Sequence, residues 1–547
     1  MSTVKKGNEF RDAIFRALLA ASYRNVETEK RIGGYKKVDI YYEEVDFGRV
    51  RKVAVEAKNY EKPLVKSEVA TKIHAEYQPL IANKDIDKLV IIAPHDVSPD
   101  TREFISSCGY VFMTIEQFYA YIMNFLGYLE GLRTGYKEGG LDKYYMPLLF
   151  GDGEDLEQYL DRWLVAESAK PIAVLAGYGM GKTSFSKHYA CKLAGKFLDN
   201  EYGRIPIYIR LGEISDEQSL EGLLAKCLTS SNAVQNYTFE LFMELNRNGQ
   251  FCILLDGFDE MKHAMTWDHF KHNVKQLNRL IEGDSKVVLL GRPSAFTSES
   301  EQALILRGVR PIDEKEVRAF EWNIYERIEL NLFTEDAAFE FIGKYIKYLI
   351  VANDVGCNQD VDDFVESRIS EIKGLGFSDI ILRPVQAKML AEIASDPSHQ
   401  LESYSRYGLY KHFMDCIIER EMLKQSRQLF SSETRRSFVR ELAWWMWGSG
   451  TSTGLSLSEI PSWIIEKCKG NRVMDRDGAL RDLVSGSVLE TKIADKFYFP
   501  HRSYQEFLVS EYVVNLAPDA GVIDKIRSVI NREILDFIKE SGPEFNT

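Results

Sequence analysis

The chain lacks the cysteine pattern of a disulfide frame or a zinc knuckle. Its seven cysteines, at 108, 191, 227, 252, 357, 416 and 468, are scattered, and none forms a Cys-x-x-Cys pair. Such a set reads as reduced, mostly buried thiols. His263, His269 and His272 fall at no fixed metal spacing and read as a polar helix face. No apolar run approaches the roughly 18 residues needed to cross a bilayer. The opening Met-Ser-Thr-Val-Lys-Lys-Gly-Asn-Glu has no apolar signal region. A cytoplasmic protein without membrane contact is therefore expected. No repeat of 20–50-residue period and no low-complexity segment is present. Positive charge is also short: the net charge of −13 excludes a protein that coats nucleic acid with its whole surface.

What is present is ordinary globular material, 45% hydrophobic and 28% charged. At 547 residues it is long enough for three or four domains, each with its own core. Residues 1–80 hold 16 Lys and Arg against 12 Asp and Glu, and so run against the acidity of the rest. A DNA-facing surface is tolerable at that end.

Apolar periodicity predicts an amphipathic helix over 8–23, strands over 38–42 and 50–56, a helix over 65–82, a strand over Lys88–Ala93, a helix over Pro99–Ser107 and a strand over 110–114. This is a compact mixed-sheet domain over 1–125. The Gly-rich stretch within 126–154 predicts a linker. Strands at Ile172–Leu175, Ile205–Arg210, 252–255 and 287–290 alternate with helices, giving a parallel αβα domain over 155–320. Helices then dominate: a helical domain over 321–400, a winged-helix-like domain over 401–515 and a short tail over 516–547. The fold class is α/β multidomain.

Asp39 and the Glu56-Ala-Lys58 triplet bring two carboxylates and a lysine onto neighbouring strands. Glu56 and Lys58 are two apart and point to one face of a strand. Two carboxylates can hold Mg2+, a hard cation that takes oxygen ligands, and a lysine beside them can position water and stabilise charge on a phosphate. Phosphodiester hydrolysis needs this combination. With Gly7-Asn-Glu9-Phe10 on the preceding helix, residues 5–125 resemble the PD-(D/E)XK superfamily, in particular its Mrr-like restriction endonuclease branch. The resemblance implies metal at Asp39 and Glu56, catalytic assistance from Lys58, Glu9 near the metal, and double-stranded DNA as substrate. The fold also hosts members that only bind.

A second phosphate site is written in Ala176-Gly-Tyr-Gly-Met-Gly-Lys-Thr-Ser184. Gly177, Gly179 and Gly181 let backbone N–H groups converge, with Tyr178, Met180 and Ser184 completing the loop. Lys182 is placed to reach the β- and γ-phosphates and Thr183 to ligate Mg2+, while the following helix presents its N-terminus to the anion. Ala176 replaces the usual first glycine. Asp256 ends an apolar strand and can hold Mg2+ through water; Asp259 or Glu260 can orient an attacking water. Arg292 is placed to sense a γ-phosphate.

The Asp256-Gly-Phe-Asp-Glu260 run, Gly291-Arg-Pro293, and Phe499-Pro-His501-Arg-Ser-Tyr-Gln-Glu-Phe507 together resemble the NACHT branch of the STAND regulatory NTPases, over residues 155–515. The resemblance implies ATP and ADP as ligands, His501 on the ADP phosphate in the resting state, and Pro384 near the adenine. Many members carry a long C-terminal repeat array that senses the trigger; only a short stretch follows Tyr512 here, so either that tail senses, or another surface does, or the chain is truncated. The combined expectation is an antiphage sensor in which a phage-derived trigger favours exchange of ADP for ATP, the protein forms a homo-oligomer, and a DNA endonuclease is activated. Two alternatives stay open: an NTP-driven restriction enzyme, and a nucleotide-gated scaffold whose N-terminal domain only binds nucleic acid.

Overall fold

The computed structural model describes the chain apart from residues 1–2, 35, 47, 168–169, 178, 200–202, 212–218, 230–233, 263–266, 297–298, 313–314, 320–323, 353–359, 376–380, 398–400, 402–404, 423–429, 450–454, 470–475, 492–495, 500–501, 517–529 and 542–547.

The N-terminal helix Thr3–Ala20 leads into a five-stranded sheet in spatial order β1 (Arg24–Thr28), β2 (Ile40–Asp46), β3 (Arg49–Ala57), β4 (Lys88–Ala93), β5 (Val111–Thr114). The first three strands are antiparallel to their neighbours, whereas β3, β4 and β5 run parallel. Strand β1 was not expected. Its sequence Arg-Asn-Val-Glu-Thr is mostly exposed at the sheet edge, so it carries no apolar alternation. The sheet is covered on both faces. Val53 and Val55 point to a cluster shared with Ile14 and Leu18 of the first helix. Ala54 points to the opposite layer, with Val69, Ile73, Tyr77 and Ile105. The helix expected over 65–82 is present but widens into a π-helical turn over Val69–His74.

The second sheet has the order β7 (Ile205–Arg210), β8 (Phe251–Asp256), β9 (Lys286–Gly291), β6 (Ile172–Leu175), β10 (Glu326–Glu329), all parallel. Strands β8, β9 and β6 are buried throughout and read as continuous apolar runs. Strand β10 lies past residue 320, where the helical domain was expected to begin. Of its four residues only Ile328 is buried, so it shows no strand pattern.

Two further expectations give way. The segment 126–154 is not a linker. It forms the helix Leu126–Glu138, the short helix Leu141–Tyr144 and a strand pair, Leu149–Phe150 with Glu154–Asp155. Tyr128, Leu129 and Tyr136 of the first of these helices are buried. The segment 516–547 is not all tail either. Arg532–Glu540 is a helix capped by Asn531, and its Ile534, Phe537 and Ile538 join the core of the helical half, Phe537 edge-on to Tyr410 and Phe507. Between them the helical half contains Glu335–Ala352, Pro384–Ala394, Arg406–Met422 and Ser432–Ser449. The hairpin Glu490–Thr491 with Phe497–Tyr498 then leads to the helix Arg502–Leu516.

The two α/β domains are not separate bodies. One apolar cluster runs from Ile14 and Leu18 through Phe118, Ile122 and Phe125 to Phe242 and Phe251. Phe125 meets Phe251 edge-on at 5.5 Å. Around this core Arg16 donates to Glu244 at 2.7 Å, Thr238 to the Ala20 carbonyl at 3.0 Å, and the Tyr208 amide to the Tyr128 hydroxyl at 2.9 Å. Phe125→Ala is expected to cost about 3–5 kcal/mol and to weaken both domains together. Denaturant titration followed by tryptophan fluorescence and by proteolysis of each domain checks this; destabilisation confined to one domain contradicts a shared core.

Candidate active site and nucleotide cleft

Asp39 immediately precedes β2, and Glu56 and Lys58 fall at the end of β3, so the antiparallel pairing of β2 with β3 brings them together. The Ala57 amide donates to Asp39 Oδ2 at 2.9 Å. Lys58 Nζ pairs with Glu56 Oε1, and the Tyr77 hydroxyl donates to Glu56 Oε2. Glu56 is only 4% exposed. Burial, and then the Glu56 charge, raise the Asp39 carboxyl above its usual range, against the pull of the Ala57 amide, Lys58 and Lys36. Burial works to lower the Lys58 ammonium but is outweighed by the charge and hydrogen bond of Glu56, so its pKa is raised and it stays cationic. A buried and a half-buried carboxylate that repel one another, with a cation alongside, fit a divalent ion with oxygen ligands. Among the described residues no group of three or more His, Cys, Asp and Glu is placed to hold a metal. Glu9 is exposed on the first helix, and no hydrogen bond joins it to this group. Tyr77 was missed: it comes from a helix on the buried layer, and nothing local marks it.

The P-loop lies between β6 and the helix Lys182–Leu198. Gly179 and Gly181 have φ of 71° and 84°, backbone that favours glycine. A Cβ on Gly179 would also meet Val385 Cγ1 at 2.0 Å. Lys182 Nζ donates to the carbonyls of Ala176 at 2.6 Å and Gly177 at 2.9 Å. A cavity of about 330 Å3 opens beside the loop. Gly179, Met180, Gly181, Lys182, Thr183, Ser184, Asp256, Asp259 and Arg292 line its polar end, and Pro384 and Val385 lie on its wall. Apolar and aromatic groups complete it: Leu141, Tyr144, Met146, Phe333 and Phe341. The size, the converging amides and the apolar end fit a nucleotide.

The cleft is closed by charge pairs between the halves. Asp259 Oδ1 accepts from the Arg292 amide at 3.1 Å, and its Oδ2 lies 3.2 Å from Arg292 Nε. Arg292 Nη2 reaches Glu421 Oε1 at 2.8 Å, on the helix Arg406–Met422. Asp256 accepts from the Tyr208 hydroxyl at 3.2 Å. Tyr178 and His501 lie outside the described residues, as does the Glu260 side chain. Sequence reasoning missed Glu421, and it missed the cover supplied by residues 141–148.

Family comparison finds a domain of known type around each of these places. The NACHT domain model matches residues 170–346, and the restriction endonuclease model of the Mrr catalytic type matches residues 4–122. The chain joins an Mrr-type restriction endonuclease domain to a NACHT domain. It therefore unites a nuclease-type domain with an NTPase-type domain, each of a class that in general uses divalent metal or nucleotide. An uncharacterized WD repeat-containing protein of Nostoc sp. (strain PCC 7120) is 26% identical over 419 residues, covering 71% of this chain and 26% of that protein. The chain thus spans about a quarter of the length of that curated relative. Similar solved structures include a Walker-type ATPase of Pyrococcus abyssi (TM-score 0.35, 13% identity, 64% of this chain and 94% of that one). Another is the Aeropyrum pernix ORC1 protein in complex with DNA (TM-score 0.27, 13% identity, 66% and 92%). No helix among the described residues is long and apolar enough to cross a membrane.

Burial lowers the Lys182 ammonium to about 8, with Asp259 pulling it up and Arg292 pushing it down. A bound phosphate selects the protonated lysine. ADP affinity is therefore expected to hold up to about pH 8 and then to fall as pH rises, approaching about tenfold per unit. Calorimetric titration across pH 7–10 reads this directly; a flat profile means that Lys182 does not meet the phosphates.

Proposed function

We propose that this chain is an antiphage sensor and effector of the cytoplasm, in which nucleotide state governs a DNA endonuclease. The observation that carries the reading is the buried Asp259–Arg292–Glu421 chain of charges. It ties the P-loop sheet to the helical half across a cleft that fits a nucleotide. A cleft held in this way is closed while its charges are matched, and a ligand that alters the local charge favours the open form only by its difference in affinity for the two.

In the resting protein ADP lies on Gly177–Ser184, with Pro384 on the adenine side and His501 on the phosphate. Lys182, Thr183 and Asp256 would hold the phosphates and Mg2+, and Asp259 or Glu260 would orient water if the triphosphate is hydrolysed. A phage-derived trigger favours ATP and opening, and opened protomers form a homo-oligomer that gathers several nuclease domains on double-stranded DNA. At the nuclease site Asp39 and Glu56 would hold a divalent cation. When bound, that cation polarises a phosphoryl oxygen and lowers the pKa of a water. Lys58, kept cationic by Glu56, holds the attacking water and offsets charge growing on the phosphate. Tyr77 fixes the Glu56 carboxylate by its hydrogen bond.

Asp39→Ala and Lys58→Ala are expected to reduce plasmid cleavage in Mg2+ or Mn2+ by at least about a hundredfold, leaving assembly intact by light scattering. Lys182→Ala is expected to abolish both assembly and protection of infected cells. Protection that survives the nuclease and P-loop changes alike overturns the reading, and rapid DNA-stimulated ATP turnover would favour a DNA motor instead.

A further inference from the structure

A second charge pair crosses the cleft at a different place. Arg383, the residue before Pro384, makes a bidentate contact with Glu490 of the winged-helix hairpin, Nη1 to Oε1 at 2.6 Å and Nη2 to Oε2 at 3.0 Å. The Glu490 carboxylate lies directly on the P-loop. A Cβ built on Gly177 would fall 1.9 Å from its Oε1 and 2.5 Å from its carboxyl carbon. The carbonyl of that same Gly177, with that of Ala176, accepts from Lys182 Nζ. Neither Gly177 nor Glu490 lines the cavity; the carboxylate sits on the stretch of loop toward which Lys182 is drawn back.

A P-loop lysine serves the β- and γ-phosphates. Here a fixed negative charge adjoins the loop that would receive the third phosphate. A diphosphate brings no further charge to that part of the loop. A triphosphate adds a like charge close to it, in a partly buried setting where repulsion is weakly screened. The burial of the pair, with side-chain exposures of 15% for Arg383 and 10% for Glu490, keeps the carboxylate from swinging into water without breaking the clamp.

We propose that Glu490, held on the P-loop by Arg383, is the group that makes this site prefer a nucleoside diphosphate to a triphosphate. The proposal rests on the nucleotide-binding reading of the P-loop. It adds a distinct determinant, supplied by the winged-helix hairpin, to the residues of the loop itself.

The test is calorimetric titration of the full chain with ADP and with a non-hydrolysable β,γ-imido triphosphate. Glu490→Gln keeps the shape and removes the charge; it raises triphosphate affinity relative to ADP by about tenfold or more. Arg383→Gln breaks the clamp, frees the carboxylate to swing into water and shifts the ratio in the same direction as Glu490→Gln. Gly177→Ala, whose methyl displaces the carboxylate while keeping both charges, shifts it as Glu490→Gln does and serves if the Gln variant fails to fold. An unchanged ratio overturns the proposal. So does an equal loss of affinity for both nucleotides in the Glu490 and Arg383 variants, which marks the pair as a structural tie only. Failure of the wild-type chain to bind either nucleotide is a different result: it removes the nucleotide reading and the proposal with it.

Discussion

Charge buried between two halves of a protein is tolerable only when each charge is matched across the seam. Two such matches hold this molecule closed: Asp259–Arg292–Glu421 at the floor of the cleft and Arg383–Glu490 over the P-loop. Glu421 is fully buried and Arg292 nearly so. Removing one member of such a group leaves an uncompensated charge and typically costs about 3–5 kcal/mol, whereas the intact pair contributes little net stability over an apolar substitute. The seam is therefore a device of specificity more than of strength. It holds while the local charge is balanced, and it is sensitive to any ligand that changes that balance. On the proposed reading a nucleotide does so, because its phosphates would enter where Lys182, Arg292 and Asp259 already interact.

One face of the NTPase sheet is built on a different principle. There the contact with the nuclease domain is apolar and continuous, from Ile14 through Phe125 to Phe251, with hydrogen bonds only at its margin. Such a contact is stable over a wide range of conditions, and its Arg16–Glu244 pair has a half-exposed arginine at the margin. The two sides of the NTPase thus differ in kind: toward the helical half, buried charge pairs accompany the packing of Tyr144 and Met146 on Phe341 and Tyr345, and toward the nuclease there is a fused core. Motion, if nucleotide drives it, belongs to the seam.

The parts legible in the sequence are those whose signal is local. The P-loop, with its flanking strand and helix, is contiguous, and so are the buried strands β6, β8 and β9. The period of two that puts Glu56 and Lys58 on one face is equally local, and the structure joins the two in an ion pair. What escaped depended on distant partners. Glycines at 135, 139, 140, 151 and 153 punctuate residues 126–154 and suggest a linker, yet the spacing of Leu129, Leu132 and Tyr136 is a helix face that finds its cover on the P-loop helix. The apolar end of the cleft is assembled from 141–146, Phe333 and Phe341, which share no motif. Glu421 and Glu490 are single carboxylates in unremarkable surroundings, and only the closed packing gives them partners. Edge strands β1 and β10 have most of their residues exposed, and so they show no apolar alternation.

This division bears on how a nucleotide could govern the nuclease at all. A nuclease domain on a flexible tether could be freed by swinging away from its neighbour. Here the helix Leu126–Glu138, which continues from the nuclease domain, packs against the P-loop helix, and its Tyr136 bonds His188 at 2.9 Å within that helix. Swinging would expose Phe118, Ile122 and Phe125 to water, at about 1.5–3 kcal/mol for each large side chain. That is a substantial fraction of a domain's whole stability. On the proposed reading the change is at the seam with the helical half, which moves that half and leaves nuclease and NTPase together. On the proposed reading, control then reaches Asp39, Glu56 and Lys58 through what the opened NTPase surface assembles with, and the nuclease is carried into place as part of the same rigid unit.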